Sequence, residues 1–421
     1  MSLIMYALPV FLLLIGLEIL IAKRMGRKVH RLHDSVTSLN IGFISEIFRG
    51  LQKLVTVVFY AATVNAVGMF EFDLSSPLVW ILAIVLYDFF YYWAHRVGHE
   101  VNFAWAAHVV HHSSEEYNLT TALRQSSTNQ FFYWIFYLPM AILGIPVEAF
   151  VVAAVFSAVY QFWIHTRLIP KLGWFELIFN TPSHHRVHHG QNEYCIDKNY
   201  AGTLIIWDKL FGTFAEERES EPVIYGALTP LKSWNPLWAN FKNYIGLIQD
   251  VKTAKGWRHK LMYLFAPPGW TPDSEHLSDA ADSASLVLFD PAKFTLFETP
   301  APFWQRLYGV VASVCTLVMI FHFMLVAAGM PIPVRLAYGA LIIFNAMCIS
   351  WIFAGTRWAV ALEAVRALVV FGALMAAIWF VKVTPAIQAV AAIALLFSLA
   401  LLFKVYQESG NDLQTSKRAN A

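Results

Sequence analysis

Ten of the chain's fifteen histidines lie between His95 and His189, and eight of them form three tight groups: His95 with His99, His108 with His111 and His112, and His185 with His188 and His189. Residues three or four apart share one face of a helix, so the imidazoles of each group can converge on a single point. Neutral imidazole is a common metal ligand. A catalytic zinc takes about three protein ligands and a structural zinc about four, so eight histidines provide for two ions. Imidazole suits zinc, copper, iron and nickel alike, and the spacing leaves the metal open. Arg96 rather than a glutamate follows His95, so the metalloprotease pattern and its general base for hydrolysis are missing. His165 stands alone but can join the groups, and His184 directly precedes the third of them.

Two carboxylates accompany these histidines as candidate catalytic residues. Asp88 lies seven residues before His95, two turns along the same face. A carboxylate within an apolar helix is costly and tends to serve a function. It is expected either to accept the N–H of a ligating histidine or to be satisfied by Tyr87, Tyr91 or a neighbouring helix. Glu100 directly follows His99 and stands four residues from Arg96, a spacing that suits an ion pair. Arg124 either contacts a lipid headgroup, beside Gln125, or snorkels to the membrane interface. Cys195, Cys315 and Cys348 are too scattered for a disulfide framework or a thiolate zinc site and read as small buried hydrophobes. His322, inside an apolar run, reads as a packed residue bonded to a neighbouring helix. His30, His33, His259 and His276 read as surface residues.

The elements that must hold these groups are membrane helices. Of 421 residues 58% are hydrophobic and only 14% charged, against roughly 25% charged in a soluble domain. A net charge of +2 with no basic stripe argues against nucleic-acid binding. The run from Ser2 to Ala22 is followed, not preceded, by Lys23, Arg24, Arg27, Lys28 and Arg31, which marks a cytoplasmic end rather than a cleaved signal. Leu54 to Phe70 and Pro77 to Ala94 read as an out-and-back pair, which leaves the first histidines on the cytoplasmic side. Gln130 to Ile164 is an apolar hairpin broken at Gly144 and Pro146. Trp207 to Pro302 is polar and reads as cytosolic or interfacial. Four apolar runs follow: Leu307 to Met330, Leu336 to Thr356, Ala367 to Val381 and Pro385 to Phe403. The expectation is an all-α, polytopic membrane bundle of about eight crossings. N-terminal membrane helices occupy residues 1–76, the histidine domain 77–216, the polar segment 217–304 and C-terminal membrane helices 305–421. No internal repeat is apparent.

The three boxes, His95-x3-His99, His108-x2-His111-His112 and His185-x2-His188-His189, resemble the fatty acid hydroxylase/sterol desaturase superfamily of integral-membrane di-iron enzymes. Asp88-Phe89-Phe90-Tyr91-Tyr92-Trp93-Ala94-His95-Arg96 is similar to that family's helix into the first box, and Trp207-Asp208-Lys209-Leu210-Phe211-Gly212-Thr213 to its closing motif. The resemblance spans Pro77 to Phe214. It implies two irons held by the eight box histidines, with His165 and His184 as further ligand candidates. Ile169 stands one turn beyond His165, near where other members carry another histidine.

Within the superfamily, Ser113 to Gln125 and Asn180 to His189 are similar to a tetrahydrobiopterin-dependent, ether-lipid branch. That likeness implies tetrahydrobiopterin as reductant, with Glu100 at the pterin. It also implies hydroxylation by O2 next to an ether oxygen of an alkylglycerol, giving a hemiacetal that collapses to fatty aldehyde and glycerol. The competing reading is a sterol or fatty-acyl hydroxylase or desaturase fed by a partner protein, since neither a GxGxxG loop nor a fused haem segment is present. A metal transporter fits less well, because transport sites lie near the midplane of repeated halves.

Overall fold

The computed structural model describes residues 4–273, 289–300, 302–381, 393 and 395–408, and its regular structure is all α. Residues 385–392 and 394 of the run Pro385 to Phe403 lie outside the described residues, as does His276. Among those described, the only β pairing is two isolated bridges, Phe179 with Leu204 and Gly190 with Tyr225. The chain divides into one unit of Met1–Lys232 with Leu237–Leu296 and another of Ser233–Pro236 with Phe297–Ala421.

The first unit opens with α1 (Ile4–Arg24), α2 (Leu32–Val67) and α3 (Pro77–Glu100). Lys23 and Arg24 close α1, where cations complement the negative end of the helix dipole. Pro77 opens α3, at a position where its missing N–H costs nothing. Val101, in extended conformation, separates α3 from α4 (Asn102–His112). The short α5 (Leu119–Ala122) is capped by the Asn118 side chain, which accepts from Thr120 N. The apolar hairpin becomes α6 (Gln130–Tyr133), α7 (Leu138–Leu143) and α8 (Val147–Trp163). It turns at Gly144, whose φ of +90° is left-handed, a conformation glycine adopts without strain. Then come α9 (Pro182–His188), α10 (Ile206–Phe211), α11 (Pro236–Thr253) and α12 (Trp257–Phe265).

Packing of α2, α3, α7 and α8 forms the main core: Tyr60, Val79, Ala83, Met140, Ala149 and Phe150 are buried together. Tyr60 stacks on Phe150 at 4.1 Å between centroids, and its hydroxyl donates to Ile145 O at 3.1 Å. Phe11 and Ile15 of α1 pack against Leu119, Ala122 and Phe162. Glu18, the lone charge of the first run, is buried there. Its carboxylate accepts from His30 Nε2, Leu119 N and Thr166 Oγ1. His30 is therefore half-buried by a partner and His33 is buried outright, so neither is the free surface residue expected.

The second unit holds α13 (Phe303–Val326), α14 (Ile332–Phe353) and α15 (Arg357–Val381). Glu363 is buried, paired with Arg366, and accepts the Tyr308 hydroxyl, so the charge inside this apolar unit is internally satisfied. His322 is bonded to Tyr338 of α14 at 3.1 Å, as expected, although it is exposed. Cys195 and Cys348 are buried but Cys315 is exposed, a correction to its reading as a core residue.

By length and composition, Pro77–Glu100, Phe303–Gly329 and Ile332–Phe353 can cross a membrane. The two halves of α2, Leu32–Arg49 and Leu54–Val67, meet at 47° and make a fourth candidate. That is fewer, among the described residues, than the eight crossings expected. One reason is that the hairpin helices, Gln130–Leu143 and Val147–Trp163, are short against the roughly 20 residues a span requires.

A Cβ on Gly144 would collide with Phe70 O. Gly144→Ala is expected to cost about 2 kcal/mol from backbone strain alone, read as a lowered thermal midpoint in detergent.

Candidate metal centre

The histidine side chains arrive on four pieces of backbone. His95 and His99 sit in the last turns of α3, and His108, His111 and His112 fill the end of α4. His165 follows the end of α8, and His185, His188 and His189 come from α9 and its C-cap. They converge into two buried groups: His95, His99, His108, His112 and His188 in one, His111, His165, His185 and His189 in the other. Within each group the donor atoms lie within 4.8 Å of one another. All eight box histidines are included, and His165 joins them. His184 does not: its ring packs against Phe214, and its backbone carbonyl accepts from Asn199. Although adjacent to His185, it lies on the other side of the helix.

The protons show what the groups are built for. A carbonyl oxygen can only accept, so a ring nitrogen bonded to one must donate. His95 Nδ1 donates to Tyr200 O at 2.7 Å and His188 Nδ1 to Lys198 O at 2.9 Å. His111 Nδ1 donates to Arg124 O at 3.1 Å and His165 Nδ1 to Gln161 O at 2.7 Å. Each of these four rings, when neutral, therefore presents a bare lone pair at Nε2. His111 Nε2 and His165 Nε2 nevertheless face each other at 3.2 Å, with no proton for a hydrogen bond. Two ligands at right angles on one ion, each about 2.1 Å from it, would stand about 3 Å apart. In addition His99 Nε2, His188 Nε2 and His189 Nε2 are buried with no partner. Lone pairs aimed at one another and orphaned nitrogens are the donor set of a cation in each group.

Electrostatics agree. Burial drives the His108, His112, His165, His185, His188 and His189 imidazoles well below their ordinary range, and neighbouring histidines push most of them further. His111 is lowered to about 4, first by burial and further by the Arg124 charge, with its bond to Arg124 O opposing. At neutral pH these rings are uncharged ligands.

The loop between α9 and α10 orients the rings. Asp197 and Asn199 adopt φ of 55° and 56°, the left-handed region that Asp and Asn tolerate better than other side chains. They flank Lys198, and Asn199 directly precedes Tyr200; the Lys198 and Tyr200 carbonyls are used by His188 and His95. Asp208 secures this loop, accepting from Tyr200 N at 2.7 Å, Ala201 N at 2.8 Å and Thr213 Oγ1 at 2.7 Å. Burial pushes its carboxyl up to about 6 against those three donors. Asp88 accepts from Thr203 N at 2.7 Å, Leu204 N at 2.9 Å and Trp207 Nε1 at 3.0 Å. Neither a histidine nor Tyr87 or Tyr91 is its partner; of the alternatives expected, the neighbouring helix is met, through Trp207 of α10. The loop's own N–H groups, unsatisfied by regular structure, reach the carboxylate first.

Glu100 pairs with Arg96 at 2.9 Å and lies 3.4 Å from the Tyr200 hydroxyl. Arg124 neither snorkels nor reaches a headgroup position. It is 2% exposed, bonded to Val110 O, Ser113 Oγ and Ser38 Oγ, and 3.7 Å from Asp34. Ile169 offers only its carbonyl, to Arg186, and the group containing His165 is the one with four histidines. The sequence places Asp208 in the closing motif without showing its role, and it does not single out the Asp197 and Asn199 turn or Tyr133. The Tyr133 hydroxyl is buried without a partner, and its ring lies 6.2 Å from that of His108.

Three outcomes follow from this geometry. His165→Ala lowers bound metal below two ions per chain whereas His184→Ala retains both, measured by elemental analysis. Asp208→Ala leaves the loop N–H groups unpaired and weakens metal affinity by about 10- to 100-fold, measured by chelator competition. In the metal-free protein His111 titrates at about 4 folded against 6.5 unfolded. Its contribution is complete above pH 6.5 and is lost as pH falls toward 4, so the thermal midpoint of chelator-treated protein drops over that window.

Residues 80–213 match the fatty acid hydroxylase family. Alkylglycerol monooxygenase of Danio rerio is 48% identical over 283 residues, 67% of this chain and 63% of that protein. The Homo sapiens alkylglycerol monooxygenase is 44% identical over 272 residues, 64% of this chain and 60% of that protein. An ornithine lipid hydroxylase of Rhizobium tropici is 32% identical over 135 residues, 32% of this chain and 41% of that protein. The matched region thus spans about three fifths of the alkylglycerol monooxygenases. No solved structure matches the chain. The segment that matches the fatty acid hydroxylase family, residues 80–213, thus carries every box histidine, each in one of the two converging groups.

Proposed function

We propose that this chain is an integral-membrane di-iron monooxygenase that hydroxylates a lipid C–H bond with O2, its substrate an alkylglycerol. The observation that carries this reading is the pair of all-histidine groups, five and four donors with neither a thiolate nor a carboxylate among them. Identity of 44–48% to alkylglycerol monooxygenases supports the ether-lipid substrate. The two histidine groups would hold two irons, which would supply what side chains lack, the activation of O2 for attack on an unactivated C–H bond. One oxygen atom enters the C–H bond beside the ether oxygen and the other leaves as water, with two electrons and two protons from the reductant. The hemiacetal then loses glycerol and leaves a fatty aldehyde.

The chain's own residues hold the donors neutral, orient them through the Tyr200, Lys198, Arg124 and Gln161 carbonyls, and keep water out of a buried site. Asp88 serves as a positioning residue acting through the Thr203 to Trp207 loop. Tetrahydrobiopterin is the reductant in this reading. In this reading the pterin docks at Glu100, which is half-exposed and directly follows His99. The basic cluster from Lys23 to Arg31 supports a cytoplasmic active site by the positive-inside rule.

Protein purified anaerobically and loaded with iron is expected to convert an alkylglycerol to fatty aldehyde with O2 and tetrahydrobiopterin. Glu100→Gln is expected to raise the KM for the pterin about tenfold, the scale of one lost charged hydrogen bond, with the iron content unchanged. Iron binding without aldehyde, but with turnover of a sterol or acyl lipid and a protein reductant, would transfer the site to the competing reading.

A further inference from the structure

The polar segment after the histidine domain folds into two helices that each turn an apolar stripe to the outside. On α11 the exposed residues include Trp238, Phe241, Ile245 and Ile248, spaced three and four apart and so on one face. On α12 they include Trp257, Leu261 and Phe265, spaced by four. These are large side chains, Trp257 at 76% and Phe265 at 62% exposure. Around them stand Lys242, Lys252, Lys255, Arg258 and Lys260 against the single acid Asp250.

The opposite faces are committed to the site domain. Ala239 packs with Ile41 and with Val110 of α4. Asn240 Oδ1 accepts Ser127 N at 2.9 Å, and Tyr244 bonds Thr128 at 2.9 Å. The end of α12 holds the start of α4, since Tyr263 O and Ala266 O each accept from Asn102 at 3.0 Å. Both helices are thus fastened to α4, the helix that carries His108, His111 and His112.

We propose that α11 and α12 form an interfacial platform that lies in the plane of an anionic lipid leaflet and fixes the depth of α4 relative to it. An apolar stripe with large aromatic residues, bordered by cations, is the composition of a helix buried about 5–10 Å into the headgroup region. The cations beside the stripe are attracted to an anionic surface. The leaflet is the occupant that satisfies both halves of the pattern, because a protein partner would have to supply an apolar and an acidic surface together. The membrane is already at hand, since the same unit contains the span Pro77–Glu100. This inference is independent of the reaction proposed above.

The test uses full-length protein reconstituted in phosphatidylcholine vesicles with and without phosphatidylglycerol. Single spin labels are placed through Ile248→Cys, Phe265→Cys and, as an exposed polar reference, Glu219→Cys, all in a Cys315→Ser background. The ratio of relaxation by O2 to relaxation by a water-soluble nickel chelate is expected to be about fivefold higher at the first two sites than at the reference. It should rise further with phosphatidylglycerol, and Lys252→Glu with Lys255→Glu and Lys260→Glu should abolish that lipid dependence. Ratios equal to the reference, which mean water, would overturn the platform. So would labels shielded from both relaxants, which mean a protein contact. Circular dichroism matching the parent confirms that each variant is folded, so no result is assigned to misfolding.

Discussion

Everything else in the histidine domain depends on keeping nine imidazole nitrogens close together, buried and unprotonated. Uncharged lone pairs directed at one another gain nothing without a cation, and charged imidazolium rings could not be packed this way in a dry pocket. The fold removes the ambiguity by using the other ring nitrogen. Four backbone carbonyls, those of Tyr200, Lys198, Arg124 and Gln161, take the Nδ1 protons and leave Nε2 free to bind. Metal affinity is thereby written into the main chain as well as into the side chains.

That arrangement explains why so many polar residues are buried around the site in an otherwise apolar molecule. Asp88 and Asp208 staple the loop that supplies two of the carbonyls, and Arg124 is held by Ser38, Ser113 and Asp34 so that its own carbonyl meets His111. Glu18 reaches from the first helix to Thr166, beside His165. Arg186 then joins α9 to the same strip through Thr166 O and Ile169 O, with Glu217 completing its contacts. Each is satisfied by the chain itself, as burial requires. They position ligands, and the chemistry belongs to what the ligands bind.

The metal site was largely legible in the sequence because its signal is local: i, i+3 and i+4 spacing brings residues to one helix face whatever the tertiary fold. His165 and His184 could not be distinguished that way. One follows the end of a helix and the other adjoins a ligand, and only packing turns the first inward and the second toward Phe214. Asp88 was found as a costly buried charge, but its partners lie more than a hundred residues away in a loop without periodicity. Arg124 read as a membrane-surface cation because composition cannot show a partner as distant as Asp34. Among the described residues fewer helices reach spanning length than there are apolar runs, because hydropathy does not separate a spanning helix from a short one packed in the hairpin. The amphipathic faces of α11 and α12 were hidden within a segment whose average composition is polar.

In the proposed enzyme two ions are held by imidazole nitrogen alone within one chain. Iron K-edge X-ray absorption on anaerobically loaded, full-length protein tests it most directly. Two irons per chain are expected, each with a first shell dominated by nitrogen at about 2 Å, the outer-shell scattering characteristic of imidazole, and no sulfur. A single iron per chain, or a shell containing thiolate or dominated by carboxylate oxygen, would contradict it.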